Sequence, residues 1–148
     1  MLRPLLAATV LVSVLSVPTL AQDTDNDLGA AGLLSAPNKE DLPPILLSAG
    51  QPLAAAPLRL KSGRYYEIEI EADGSQELGL AGPGFFRAIW IDEIVIEGLE
   101  IRPYGIDSVE FDEAGTMEIG FIAIKPGAYE LRVPGTTGDL QRLEIVIE

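Results

Sequence analysis

Pro126-Gly127-Ala128-Tyr129-Glu130-Leu131-Arg132-Val133-Pro134-Gly135 is the run on which the reading of the whole chain turns. Pro126-Gly127 is a turn signal, Ala128 to Val133 reads as a strand, and Pro134-Gly135 stops it, because proline cannot donate to a ladder and glycine permits a sharp turn. Gly138-Asp139 marks a second turn, and Leu143-Glu144-Ile145-Val146-Ile147 reads as the closing strand.

Moving outward, the same punctuation recurs. Tyr66, Ile68 and Ile70 alternate with Glu67, Glu69 and Glu71, the signature of a half-buried strand with one acidic, wet face. Asp73-Gly74 is a turn signal, and Gln76 to Ala81 reads as the next strand. Ile94–Ile96, Leu99–Arg102, Ser108–Phe111 and Met117–Ile124 complete the set, separated by Gly98, Gly105 and Gly115. Short strands at this spacing predict an all-β domain, a Greek-key β-sandwich or barrel. Phe85-Phe86-Arg87-Ala88-Ile89-Trp90-Ile91 departs from the pattern. Following Gly82-Pro83-Gly84, it is expected to be an irregular crossing or a single helical turn capping the barrel. Core packing is the plain expectation for Phe85, Phe86 and Trp90, since aromatics dominate cores, and a recognition surface is the sharper one.

The first 21 residues read as a secretory signal. Arg3 gives a positive start, Leu5–Val17 an apolar stretch, and Thr19-Leu20-Ala21 a small-residue cleavage site. Cleavage after Ala21 sends the chain to the periplasm or beyond. Leu5–Val17 falls short of the roughly 20 apolar residues that cross a bilayer, so no membrane insertion is expected after cleavage. A lipid anchor at the mature end would need a cysteine, and the chain has none. Removing 21 of 148 residues leaves 127, enough for one core. Gln22 to Ala56 shows no sustained period and holds four of the eleven prolines, so 22–56 is expected to be a flexible, Pro-rich acidic arm before a domain at 57–148. Pro44-Ile45-Leu46-Leu47-Ser48 within it is suited to docking as an edge segment.

Charge and composition narrow the function. Ten Lys and Arg stand against 23 Asp and Glu, for a net charge of −13, and −14 once Arg3 is lost. Nucleic acid and anionic lipid are therefore poor partners, while basic proteins or cations suit the surface. With no histidine or cysteine the usual general base and thiol nucleophile are missing. No Gly-x-Ser-x-Gly elbow or phosphate loop appears, and Gly82-x-Gly84 lacks a third glycine, so an enzyme is not expected. Asp23-Thr24-Asp25-Asn26-Asp27 opens like a calcium loop, but Leu28 and Leu34 stand where the glycine and the twelfth acid belong. The extended spacing of Glu67, Glu69 and Glu71, about 7 Å between alternate residues, is too wide for one ion.

Several pieces in order resemble the small periplasmic cupredoxin-like domains, of plastocyanin and azurin type, over roughly Leu58 to Glu148. Lys61–Ile70 is similar to their early strand, and Gln76–Arg87 to a polar strand followed by an Ala-Pro-x-Phe-Phe segment. Glu118-Ile119-Gly120-Phe121 with Pro126-Gly127-Ala128-Tyr129 is similar to the family's "E-x-x-F … P-G-x-Y" pair, and Leu143–Ile147 to its last strand. In that family a Cys-x2-His-x4-Met loop and an earlier histidine hold type 1 copper. Counted back from the closing strand, the resemblance puts Val133 at the thiolate position, Thr136 at the imidazole position and Gln141 at the axial position. A type 1 site needs two imidazoles and a thiolate, so blue-copper electron transfer does not carry over and no cofactor is expected. What the resemblance then implies is a copper-less binding or accessory module. Its first candidate contacts are the loop residues Pro134, Gly135, Thr136 and Thr137, then Phe85, Phe86 and Trp90. A basic periplasmic protein or redox partner is the expected partner class. The rival expectation is a metal-handling protein, an accessory of copper or ferrous-iron uptake, that binds cations weakly through carboxylates.

Overall fold

The computed structural model describes residues 29–148. The expected leader, its cleavage point after Ala21 and the Asp23–Asp27 stretch lie outside the described residues. Eleven strands run in chain order among them: β1 (Lys39–Asp41), β2 (Ile45–Leu47), β3 (Leu58–Leu60), β4 (Tyr65–Ala72), β5 (Leu78–Ala81), β6 (Ile89–Ile96), β7 (Leu99–Ile101), β8 (Ser108–Phe111), β9 (Gly115–Ala123), β10 (Gly127–Arg132) and β11 (Arg142–Ile147). A single helical turn, α1 (Pro83–Phe86), separates β5 from β6.

Two sheets result, as the turn spacing predicts. One has the order β1-β4-β9-β6-β7, with β2 also on β4, and the other the order β3-β11-β10-β5-β8. The chain changes sheet at every step except β1 to β2, β6 to β7 and β10 to β11. Alternation along β4 and β9 places Tyr66, Ile68, Ile70, Met117, Ile119 and Phe121 between the sheets. Leu80, Leu131, Leu143, Ile145 and Ile147 meet them from the second sheet. Each such side chain contributes on the order of 1.5–3 kcal/mol by leaving water. In a chain without cysteine this burial carries the stability that disulfides would otherwise supply.

The body begins before residue 57, which corrects the expected boundary of a flexible arm at 22–56. β1 and β2 lie end to end along one edge of β4, both parallel to it, with Lys39 opposite Tyr65 and Ile45 opposite Ile70. Pro43-Pro44 falls between them, where the missing N–H groups cost no ladder bond. Ile45, Leu47 and Leu53 are as deeply buried as the central strands. Asn38 is buried and donates to Leu33 O at 2.8 Å and Gly63 O at 3.0 Å, tying the segment before β1 to the turn before β4. Three-residue strands are too short to show a period of two, so only the docking of Ile45–Leu47 was legible.

The Gly82-Pro83-Gly84 corner has a steric cause. A Cβ on Gly82 would sit 2.5 Å from Leu131 Cδ2 and 2.7 Å from Glu130 O, so only glycine lets β5 turn into α1 against β10. α1 is the expected helical turn, but its continuation Ile89-Trp90-Ile91 is strand, the start of β6. β6 pairs with β9 through a bulge between Ile91 and Glu93. It then turns back through Glu97 and Gly98, both with positive φ (49° and 81°), a two-residue hairpin into β7 with Ile96 opposite Leu99 and Ile94 opposite Ile101.

Candidate functional site

β10 ends at Arg132, and the residues after it hold Val133, Thr136 and Gln141, the three positions that the family resemblance aligns with copper ligands. The loop does bring them together. Val133 N–H donates to Gln141 O at 3.1 Å, Thr136 N–H donates to Val133 O at 3.3 Å, and the Thr136 hydroxyl donates to that same carbonyl at 2.7 Å. Gln141 Nε2 donates outward to Ser48 O at 3.2 Å, linking the loop to the end of β2. From beneath, the Arg132 guanidinium donates to Gly138 O at 2.8 Å, while Arg142 pairs with Asp139 at 3.0 Å. The Val133 side chain is buried in the core. The loop is thus closed by its own amides, one hydroxyl and two arginines. An alkyl group, a hydroxyl and an amide that is already donating offer none of the soft sulfur or imidazole nitrogen that type 1 copper requires.

Pro134, Gly135 and Thr137 are exposed and Thr136 partly so. Phe85 and Phe86 are not available for that role, and their candidacy is corrected here. Both are buried, and Phe85 packs edge-on against Phe121 at 5.7 Å and 86° and against Phe86 at 5.7 Å. As part of the core floor they are expected to act through packing alone. Trp90 reverses the plain expectation in the other direction, being 47% exposed. Its register opposite Ile122 puts it on the outer face of the first sheet, across from Ile91 and Phe121 on the core side. A shallow cleft of about 450 Å³ runs from Gly82 and Pro83 past Tyr129 to Pro134, and Trp90 does not line it.

The outer face of the first sheet is acidic. Glu69 of β4 stands directly opposite Glu118 of β9, with Glu67 and Glu71 two residues to either side. A carboxyl–carboxyl hydrogen bond with Glu71, then desolvation and the charges of Glu71 and Glu118, holds the Glu69 carboxyl above its ordinary range. Burial, followed by the charges of Glu67, Glu93 and Asp41, does the same for Glu118. Lys39 answers part of this charge through Glu67 at 2.7 Å, and Arg102 another part through Asp92, Glu93 and Glu100 at 2.9–3.1 Å. Tyr65, fully buried on this face, lies under Lys39 Nζ at 4.6 Å and donates to Asp92 Oδ2 at 3.3 Å.

A second acidic group was missed from the sequence. Glu77, Glu110 and Asp112 are exposed, and each offers a carboxylate oxygen within 4.8 Å of the others. Glu110 of β8 and Asp112, the residue just past its end, stand two positions apart, a spacing present in the sequence. Glu77 joins them because β5 pairs with β8, with Leu78 opposite Phe111. Three carboxylates at this spacing offer the hard oxygen donors that suit calcium or magnesium better than copper.

No protein-family model matches the chain, and no curated protein matches it by sequence. Solved structures do match. A multicopper oxidase from Pseudomonas thermotolerans superposes with a TM-score of 0.54 at 14% identity, over 74% of this chain and 30% of the oxidase. Another multicopper oxidase gives 0.50 at 9% identity, over 62% of this chain and 32% of its own. A copper nitrite reductase from Nitrosomonas europaea gives 0.49 at 19% identity, over 64% and 33%. The chain thus spans about a third of the length of the structures it matches. At these identities the likeness is one of fold: two sheets forming a β-sandwich that matches cupredoxin domains, here without a cysteine.

Proposed function

We propose that this chain is an exported, copper-less cupredoxin-like module that binds a partner rather than carrying an electron or catalysing a reaction. The observation that carries the proposal is the closed loop from Val133 to Gln141, in which Thr136 and Gln141 are committed to backbone hydrogen bonds. A sandwich keeps its core when its loop ligands change, so the fold outlasts the metal and the loops become free to serve recognition. The acidic outer face fits a basic periplasmic protein or a basic redox partner. A second reading is favoured by the Glu77, Glu110 and Asp112 group: a metal-handling protein that holds a hard cation through carboxylates. One experiment separates the readings. The purified chain is dialysed against micromolar Cu(II), Fe(II) or Ca(II), with metal analysis and visible absorption. The binding-module reading expects no copper–thiolate absorption and no stoichiometric metal. One tightly held equivalent of Ca(II) or Fe(II), lost in Glu110→Gln/Asp112→Asn, would replace it with the metal-handling reading, and stoichiometric copper would overturn it.

A further inference from the structure

β7 and β8 are each the outermost strand of a sheet. β7 is the last strand of its sheet, with no strand beyond it among the described residues. Its register with β6 turns Leu99 and Ile101 to the side of Ile94, which is the core side. Yet Leu99 is 62% exposed, and Ile101 and its neighbour Ile96 are also open to solvent. Below Ile96 a cleft of about 290 Å³ has Val109 and Phe111 of β8 in its floor. Glu97, Glu110, Asp112 and Glu113 surround it, and no lysine or arginine lines it. Glu100, between Leu99 and Ile101, points to the opposite face of β7. Tyr104, fully exposed, follows on the connection to β8.

Resting on the binding-module reading, we infer that β7 is a strand-addition site for an extended basic polypeptide segment of a partner protein, alternating apolar residues with lysine or arginine. Main-chain hydrogen bonds to an open edge supply affinity, and alternate side chains supply specificity. In such a segment one set of side chains covers Leu99 and Ile101 and reaches the cleft by Ile96 with its carboxylates Glu97 and Glu110, while the other lies along the face that carries Glu100 and its partner Arg102. Charge selects the occupant. A second copy of this chain would bring the cleft carboxylates Glu97, Glu110, Asp112 and Glu113 toward their own equivalents, and like charges brought together are destabilising, whereas Glu100 is already paired with Arg102 at 3.1 Å. A basic strand is attracted to the same groups, and its encounter rate falls as salt rises.

The test uses a fluorescein-labelled octapeptide of alternating lysine and valine, titrated with the full chain and followed by anisotropy. Alternating glutamate–valine and lysine–serine octapeptides serve as controls. The lysine–valine peptide is expected to bind, and the Leu99→Ser/Ile101→Ser variant to bind it about tenfold more weakly. Both positions are solvent-exposed, so the variant is expected to keep the native unfolding midpoint, which circular dichroism checks. Failure of the lysine–valine peptide to bind overturns the inference, as does equal binding by the variant or by the lysine–serine peptide. So does sedimentation showing a dimer of the native chain that the variant abolishes. None of these readouts involves metal, so a failure here is distinct from the copper result that would overturn the binding-module reading.

Discussion

At the scale of single residues, Glu69, with Glu71 beside it and Glu118 opposite, is a cost built into the sheet. Cross-strand like charges are unfavourable, and the alternation that buries Ile68 and Ile119 leaves no freedom to separate them. Because the folded Glu69 carboxyl lies above its ordinary range, the folded chain binds more protons than the unfolded one between the two values. Stability therefore falls as pH rises through that window, and the penalty persists at neutral pH. Glu69→Gln is expected to raise the urea midpoint at neutral pH, with the gain fading below about pH 4, where glutamate is protonated in both states. A variant no more stable than the parent at neutral pH would show that solvent already screens the pair. Trp90 carries the opposite lesson. Aromatic content alone favours burial, but the bulge beside Ile91 and the pairing with β9 set which of two adjacent apolar residues faces out.

Among the elements, β2 tests where the folded body starts. Ile45 is 1% exposed and packs into the central core, so Ile45→Ala is expected to cost about 2–5 kcal/mol, read from the shift of the denaturant midpoint. An effect under about 0.5 kcal/mol, the range of surface substitutions, would return this segment to the status of a loose arm. Legibility followed turn signals more than strand length, since Leu99–Ile101 was read at three residues between Gly98 and Gly105. Tyr65–Ala72 and Ser108–Phe111 were readable because alternation and flanking glycines agree. β1 was not, since Lys39, Glu40 and Asp41 are all exposed and only pairing with β4 makes them a strand. β3 was missed too, since its Leu-Arg-Leu follows Ala54-Ala55-Ala56-Pro57 with no glycine turn to set it off. The candidate site divided the same way. The loop positions Val133, Thr136 and Gln141 could be counted from the closing strand, whereas the acidic group of Glu77, Glu110 and Asp112 needed the β5–β8 register.

Across the whole molecule, 23 acidic against ten basic residues leave a surface that repels itself. Its ion pairs are largely solvent-exposed, as with Arg59–Glu148 and Arg87–Asp107, and exposed pairs contribute little. Relief of self-repulsion therefore outweighs loss of these pairs when salt is added. Raising ionic strength from about 0.01 M to about 0.15 M shortens the screening length from roughly 30 Å to 8 Å and is expected to raise the denaturant midpoint. A midpoint that falls instead would mean that the ion pairs dominate. The sequence by itself determined the all-β class, most strand positions, the lack of thiolate and imidazole, and the sign of the surface, because periodicity, residue chemistry and charge are local properties. Tertiary structure alone decided that Lys39–Asp41 belongs to the body, that Trp90 is exposed while Phe85 and Phe86 keep the burial expected of them, and that the loop from Val133 to Gln141 closes on itself. Each depends on which strands become neighbours and in what register, and that is fixed by packing between residues far apart in the chain.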